Sequence, residues 1–355
     1  MGVKIEVLGI LLMAMTMLLS ACSSDESGAQ TVTTGDETSV GKQVQLMLYT
    51  SSFQDYETAR RAAPSGFTAY TPDKVTDMGI YMIKNDDSTP YKEKRLRYAA
   101  KWFAYFEAEA QEDYTVYGYM PKLDGMSSTV TSVSKNGATL TISGIKPVTT
   151  DDICIITGVN ETDDGLEEGQ FGWYMENAND NFYMYLLMDH LYASVNFCLQ
   201  VHEDYVPLRT IKVKTMTLRA DIASVVAQVT LTHNTKGESP ITEATYNMLV
   251  GSPEGSSSSE VQVFNDADGQ ALSSTKPIEV AACFAPSPSY NLTLVSTYDV
   301  YDSQGNLIRK GCTSTNKIPV LDAKRGERIQ INLTVNPTYL YVLSHKDLDN
   351  LFVIQ

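Results

Sequence analysis

The sequence has few of the residues that most enzymes use for chemistry. It contains four histidines, five cysteines and two tryptophans among 355 residues. The histidines are spread along the chain, and no G-x-S-x-G, H-E-x-x-H or P-loop sequence occurs. Few groups therefore titrate near neutral pH or offer an imidazole to a metal. The sequence predicts a protein that is not an enzyme and carries no cofactor.

Positive charge is also scarce. Lys and Arg number 27 against 43 Asp and Glu, which gives a net charge of −16. Nucleic acids and anionic lipid headgroups are bound by basic faces, so this balance argues against a nucleic-acid partner and against a polybasic membrane patch. Charged residues make up only 20% of the chain and hydrophobic residues 43%, which is typical of a folded protein.

The cysteines show no spacing that is typical of metal binding. Neither a C-x-x-C pair nor a nearby pair of histidines accompanies Cys154, Cys198, Cys283 or Cys312. No metal site is therefore expected. Buried free thiols are the default interpretation, and oxidation in an exported chain is the alternative, for which the sequence assigns no pairing. The pair Asp151-Asp152 is interpreted as part of a solvated turn.

The start of the chain has the pattern of a bacterial lipoprotein signal. Lys4 precedes an apolar run over residues 7–19, which is too short to span a hydrocarbon core of about 30 Å. The run ends in LSAC, which resembles a lipobox. This predicts a signal peptide over residues 1–21, cleavage before Cys22 and lipid on that cysteine, which anchors the precursor in a membrane. The alternative is an ordinary signal peptide followed by a chance cysteine.

A tether is predicted over residues 22–42. This segment is rich in Ser, Thr, Gly and acidic residues and has almost no large apolar side chains, so it cannot bury enough surface to fold. Its acidic start behind Cys22 resembles the surface-export signal of Bacteroidota lipoproteins, which implies an outer-membrane, cell-surface location. The alternative is a solvated linker on a lipoprotein that faces the periplasm.

The remaining chain is predicted to be all-β. Apolar and polar residues alternate in short runs that are separated by turn residues, such as Asn136-Gly137 and the segment 302–306. We expect two tandem β-sandwich domains over residues 43–181 and 182–355. Two stretches stay ambiguous, because 93–111 also fits a helix and the first part of 183–201 fits a short helix or a buried strand.

The C-terminal end of the chain resembles that of a known protein family. The stretch ERIQINLTVNPTYLYVLS, residues 327–344, with DLDN at 347–350, resembles the C-terminal end of the fimbrillin-like (Mfa-like) family of Bacteroidales type V pilus subunits. Residues 298–311 resemble the hairpin that precedes this end in the family, and residues 188–197 are similar to the start of the family's second domain. With the lipobox, the resemblance touches both ends and the middle of the chain.

The resemblance implies two transthyretin-like sandwiches and assembly of a fimbria by strand exchange. In such assembly an outer-membrane Arg-specific protease removes the first strand, and a strand from a neighbouring pilus subunit fills the vacated groove. In this chain the displaced first strand would lie in residues 43–53, with inward side chains Val44, Leu46 and Leu48. Processing would occur at Arg60 or Arg61. The donor strand would be Leu351, Phe352, Val353 and Ile354.

Each assignment has an alternative. The Arg60-Arg61 pair also fits an ordinary loop, and residues 351–355 also fit a strand that stays docked on its own domain. The first strand would stay in place in an anchor subunit, and a tip or accessory role is open as well. A different class of function is a glycan-binding or adhesive surface lipoprotein that does not polymerise, for which exposed faces of Trp102, Trp173 or the 21 tyrosines would form the platform.

The lipobox yields a direct prediction. When the full chain is expressed in a Bacteroidales host with radiolabelled palmitate, we expect label on the uncleaved precursor and loss of label in Cys22→Ala, because the thiol of that residue carries the lipid. The Cys312→Ala variant is the control and should keep the label. Label that persists in Cys22→Ala would contradict the assignment.

Overall fold

The computed structural model describes residues 39–50, 52–55, 68–84, 92–109, 113–134, 137–160, 173–174, 183–236, 239–251, 258–286, 290–318, 323–335 and 352–354. Within these ranges the regular elements are strands and one short 3-10 helix, Glu203–Tyr205. The strands are β1 (Ser39–Thr50), β2 (Gln54–Asp55), β3 (Thr68–Tyr70), β4 (Asp77–Lys84), β5 (Lys94–Arg97), β6 (Trp102–Glu109), β7 (Asp113–Met120), β8 (Ser127–Ser134), β9 (Gly137–Ile145), β10 (Val148–Thr149), β11 (Cys154–Asn160), β12 (Trp173–Tyr174), β13 (Tyr183–His190), β14 (Ala193–Val201), β15 (Thr210–Ala220), β16 (Val225–Lys236), β17 (Ser239–Val250), β18 (Ser259–Ala271), β19 (Ile278–Phe284), β20 (Leu292–Tyr301), β21 (Leu307–Ile318), β22 (Glu327–Val335) and β23 (Phe352–Ile354).

The described strands form four sheets. Sheet A has the order β3-β1-β13-β11-β7-β4-β5, with β12 paired to β7 and β6 paired to β1. Sheet B has the order β10-β19-β14-β22-β2, with β23 also paired to β22. Sheet C is β17-β16-β9-β8, and sheet D is β18-β15-β20-β21. The all-β prediction is confirmed. The part of the chain that the structure describes contains no helix with the length and apolar character needed to cross a membrane.

The sheets face each other in sandwich-like pairs. The Tyr81 hydroxyl of sheet A donates a hydrogen bond to the Ser128 carbonyl oxygen of sheet C at 2.8 Å. The Tyr246 hydroxyl of sheet C donates to Asp189 Oδ2 of sheet A at 3.0 Å. In the second pair, β10 of sheet B lies against β15 and β18 of sheet D. Apolar side chains from the facing sheets fill the space between them.

The order of strands crosses the predicted boundary at residue 181. Strands β13, β16 and β17 follow that boundary in sequence but pair in sheets A and C. Strands β2 and β10 precede it but pair in sheet B. The residue ranges of the two predicted domains stay a prediction, but the boundary between them does not coincide with a boundary between sheets.

Both stretches that were ambiguous at the level of sequence are strands. Residues 93–111 contain β5 and β6, and the first part of 183–201 is β13. In β13 the side chains of Met184, Leu186 and Met188 are buried, and so is that of Leu187 on the other face. A strand that is buried on both faces has no polar alternation, which is why its period is hard to read.

Several tyrosine side chains are buried in the core. The side chains of Tyr117, Tyr119, Tyr192 and Tyr298 are among the largest that are fully buried. The Tyr192 hydroxyl donates to the carbonyl oxygen of Lys146 at 2.7 Å, so that its polar end is satisfied inside the protein. Burial raises the pKa of the Tyr192 phenol well above its usual value, and the phenol stays neutral.

A buried carboxylate supports the hairpin of β20 and β21. The predicted turn at 302–306 joins these strands, and Gly305 adopts a φ of 85° there. Asp299 lies where the β20–β21 register shifts, and its Oδ1 accepts a hydrogen bond from the Gly311 amide at 2.7 Å. Its Oδ2 pairs with Lys214 Nζ at 2.8 Å. Burial alone would raise the pKa of the Asp299 carboxyl, but the hydrogen bonds from Lys214 and Gly311 hold it below its usual value of 3.8.

This network predicts a pH-dependent effect of Asp299→Asn. At neutral pH we expect the free energy of unfolding to fall by about 2 kcal/mol, because the amide replaces a charged acceptor. The carboxylate stabilises the fold fully above 3.8, and its contribution is lost as the pH falls through the lower folded pKa. The difference between the two proteins should therefore narrow below pH 3.8 in urea unfolding measurements.

The exposed Asp124 supplies the control for this measurement. Asp124→Asn should change the free energy of unfolding by less than about 0.5 kcal/mol at neutral pH. A loss in Asp299→Asn that stays constant across the acid range would contradict the assignment.

Candidate functional site

Strand β1 is an alternating strand with one face in the core. Val44, Leu46 and Leu48 are exposed by only 0%, 2% and 3%. The intervening residues Met47 and Tyr49 are half-buried on the opposite face. A period of two places every second side chain on the same face of a strand. Burying three such side chains stabilises the fold by about 1.5–3 kcal/mol each before ordering costs.

Neighbouring strands flank β1 on both sides. On one side it pairs in parallel with β13, from Gln45 opposite Tyr183 to Thr50 opposite Met188. On the other side its first half pairs antiparallel with β6 and its last residues pair antiparallel with β3. The strand therefore fills a groove whose two walls are the backbones of neighbouring strands. Its removal would leave an apolar cleft with unpaired N–H and C=O groups on both walls.

The segment that follows β1 reaches the second sandwich. The Phe53 ring stacks on the His190 ring with a centroid distance of 4.1 Å. Directly afterwards, β2 pairs in parallel with the start of β22, with Gln54 opposite Glu327. Strand β1 thus pairs in sheet A, and β2 pairs in sheet B. Cleavage of the chain after β2 would remove both pairings.

The C-terminal strand occupies the same edge of sheet B as β2. Strand β14 pairs along one side of β22 from Arg328 to Val335, so β2 and β23 both use the other side. Three residues of β23 pair antiparallel with β22, from Ile354 opposite Leu333 to Phe352 opposite Val335.

The residues predicted as a site fall into three groups. Val44, Leu46 and Leu48 lie in β1, and Phe352, Val353 and Ile354 lie in β23. Cys22, Arg60, Arg61 and Leu351 lie outside the described residues. The structure thus brings the two predicted exchange strands to different sheets, and their roles in exchange stay a prediction.

A cavity of about 850 Å³ lies at the end of β1. Its lining includes Thr50 and Phe53 together with a charged group that contains Asp77, Arg95 and Arg97. In that group, Asp77 Oδ2 accepts from Arg95 Nε at 2.6 Å, and Asp77 Oδ1 accepts from Arg97 Nε at 3.0 Å. Burial alone would raise the pKa of the Asp77 carboxyl, but the two arginines hold it below its usual value.

A cluster that the spacing of residues did not reveal lines the same cavity. Cys154 of β11 and His190 of β13 are direct partners in the antiparallel register, although they are far apart in sequence. Asp152 Oδ2 lies 3.1 Å from Cys154 Sγ and 2.6 Å from His190 Nδ1. Burial, and then the neighbouring Asp152 carboxylate, raise the pKa of the Cys154 thiol well above its usual value. Only the pairing of β11 with β13 brings these residues together, so the prediction from spacing missed them.

Trp102 is not part of a surface platform. Its side chain is only 3% exposed, and its ring packs against that of Tyr98 at 5.3 Å between centroids. The hypothesis that Trp102 offers an exposed face is therefore wrong, because it lies on the inward face of β6. The outward face of that strand carries Phe103 and Tyr105, which are 46% and 53% exposed.

Comparison with known proteins gave matches among solved structures. No protein-family model matches the sequence, and no curated protein matches it. A candidate cell adhesion protein from Bacteroides fragilis is similar at 10% identity and a TM-score of 0.43, over 88% of this chain and 96% of that one. A candidate cell adhesion protein from Bacteroides ovatus is similar at 12% identity and a TM-score of 0.37, over 82% of this chain and 92% of that one. The fimbrial anchor protein Mfa2 from Porphyromonas gingivalis is similar at 11% identity and a TM-score of 0.27, over 87% of this chain and 95% of that one.

The burial of β1 predicts a difference between neighbouring substitutions. Leu46→Ala should lower the free energy of unfolding by about 2–4 kcal/mol, because it leaves a cavity beneath β1. Met47→Ala, one residue away on the half-buried face, should cost about 1 kcal/mol or less. Urea unfolding of both variants measures the difference. Equal losses would show that the face of β1 on which Leu46 lies does not seal an apolar cleft.

Proposed function

We propose that this chain is a structural subunit of a cell-surface fimbria of the fimbrillin-like family, assembled by protease-triggered strand exchange and serving adhesion. The observation that carries the proposal is the position of β1. It lies between β13 on one side and β3 and β6 on the other, with Val44, Leu46 and Leu48 buried beneath it. A strand that lies in a two-walled groove over an apolar interior has the geometry that strand addition requires.

Cleavage at Arg60 or Arg61 would place β1 and β2 together on the released fragment. Once the fragment leaves, β13 loses its partner over Gln45–Thr50, and the core loses three apolar side chains. An incoming strand restores the backbone hydrogen bonds, and its alternate side chains enter the vacated positions. The gain from burying three such side chains is about 1.5–3 kcal/mol each before ordering costs.

The proposed donor is the C-terminal segment 351–355. In the monomer its strand β23 pairs with β22 over three residues. This pairing is much shorter than that of β1 with β6, which runs from Ser39 opposite Glu109 to Leu46 opposite Trp102. Detaching β23 therefore breaks few backbone hydrogen bonds. Because donor and groove are different surfaces of the same chain, the contact is head-to-tail and extends into a filament.

The lipobox supports export of this chain to the cell surface. In the proposal, the precursor is anchored to the outer membrane through lipid on Cys22, and an Arg-specific protease releases it from that anchor. The partners of the cleaved chain are other pilus subunits, and its location is the cell surface. The charge of −16 agrees with a partner other than nucleic acid.

A second candidate function is a glycan-binding or adhesive lipoprotein that does not polymerise. One observation favours it: Phe103 and Tyr105 stand two residues apart on β6, on the same face, and about half of each side chain is exposed. Exposed aromatic rings offer apolar faces on which sugar rings stack.

Controlled cleavage of the purified mature chain separates the two functions. An Arg-specific protease should cut at Arg60 or Arg61 and convert monomer into a ladder that resists SDS without boiling. The double variant Arg60→Lys/Arg61→Lys is the matched control, because an Arg-specific protease should leave it monomeric while trypsin, which also cuts after Lys, should restore the ladder. A chain that ends at residue 350 should be cut but stay monomeric.

The contradicting result is a chain with residues 351–355 intact that is cut at Arg60 or Arg61 and stays monomeric. If that cleaved monomer also binds a glycan array, and binding is lost in Tyr105→Ala, the second function replaces the first.

A further inference from the structure

Three side chains of the types that bind metals meet at one end of β11 and β13. The three separations are 3.8 Å between Cys154 Sγ and His190 Nδ1, 3.1 Å between Cys154 Sγ and Asp152 Oδ2, and 2.6 Å between His190 Nδ1 and Asp152 Oδ2. One ligand atom from each residue lies within 4.8 Å of the other two. Strand register places Cys154 opposite His190, and Asp152 lies two residues before Cys154, in the segment that leads into β11.

These separations are close to those around a tetrahedral ion. Zinc binds sulfur at about 2.3 Å and nitrogen or oxygen at about 2.0–2.2 Å, which places ligand atoms roughly 3–4 Å apart. Cys154 already has this separation from both partners. The hydrogen bond between His190 and Asp152 has to open by roughly 1 Å for an ion to enter.

Asp152 has acceptor capacity that the protein itself does not use. Its Oδ1 is buried and has no hydrogen-bond partner. The adjacent Asp151 is held by Lys74 Nζ at 2.5 Å and is not a member of the cluster. Buried carboxylate oxygens are normally satisfied, and a cation satisfies one directly.

The surroundings fix His190 and leave room for a further ligand. Its carbonyl oxygen accepts from Arg325 Nη1 at 2.6 Å, and its ring stacks on Phe53 at 4.1 Å. Such contacts orient a ligand before the metal arrives. All three ligand residues line the cavity of about 850 Å³, which has room for a water molecule at a fourth position.

We propose that Asp152, Cys154 and His190 bind one divalent transition-metal ion of the zinc class. Thiolate and imidazole ligands select such ions, whereas calcium and magnesium prefer oxygen alone. On binding, the Cys154 S–H bond breaks, a bond from sulfur to the metal forms, and the proton passes to solvent. Before binding, Nδ1 of His190 carries the proton that it donates to Asp152 Oδ2. That proton is exchanged with solvent for one on Nε2, and the freed Nδ1 lone pair of the neutral ring binds the ion. The proposal does not depend on the fimbrial function.

Cobalt titration of the purified, metal-free mature chain tests the site, with Cys22 replaced by alanine to remove an additional thiol. We expect one Co²⁺ per chain, with visible bands of a tetrahedral ion and a near-ultraviolet band from thiolate to cobalt. Stoichiometric Zn²⁺ should displace the bands and raise the melting temperature of the chain. Cys154→Ala should lose the near-ultraviolet band, and Asp152→Asn should weaken binding by 10-fold or more.

Cys198→Ala is the matched control, because Cys198 and Cys154 are both 7% exposed and only Cys154 has the other two ligands beside it. That variant should bind cobalt as the parent does. Two results would overturn the proposal: no cobalt bands in the parent at millimolar Co²⁺, or an unchanged cobalt affinity in Asp152→Asn. The second variant keeps the test valid even where Cys154→Ala fails to fold, because Asn matches Asp in shape.

Discussion

The structure depends on one strand, β1, which comes from the first described residues and completes a sheet formed by later segments. Strand β1 is flanked by backbone on both sides, and its alternate side chains close the apolar interior of sheet A. Without β1, β13 would lose its pairing partner, Gln45–Thr50. The apolar interior face of sheet A would then be exposed to water. Loss of β1 is therefore costly, and a replacement strand would recover the lost hydrogen bonds and apolar contacts. This gain is the physical basis of the proposed assembly.

The end of β13 connects the groove that holds β1 to the other sheets. Asp189 Oδ2 accepts from Arg325 Nη1 at 2.8 Å, and Arg325 lies over the Tyr246 ring at 3.3 Å, so sheets A and C and the turn before β22 are joined at one point. The next residue, His190, carries the stacked ring of Phe53. The segment that contains β1 and β2 is thus attached to both sandwiches beside the proposed metal site.

Local structure followed from the sequence much better than pairing did. Alternation at Val44, Leu46 and Leu48 predicts β1, and the turn residues at 302–306 predict the hairpin of β20 and β21, because both signals are local. The parallel pairing of β1 with β13 joins residues about 140 positions apart, and no local pattern encodes it. For the same reason Cys154 and His190 appear unrelated in the sequence. Trp102 shows a further limit, since a strand alternates between faces and its composition does not say which face is inward.

Hydrogen–deuterium exchange of the cleaved and assembled protein tests the central claim most directly. If a neighbour's C-terminal strand replaces β1, peptides covering residues 351–355 and Tyr183–Met188 should both be strongly protected in the polymer, and no peptide from residues 43–53 should remain in it. The claim would be contradicted by a polymer that retains residues 43–53, or by one in which residues 351–355 exchange as fast as in an unfolded chain.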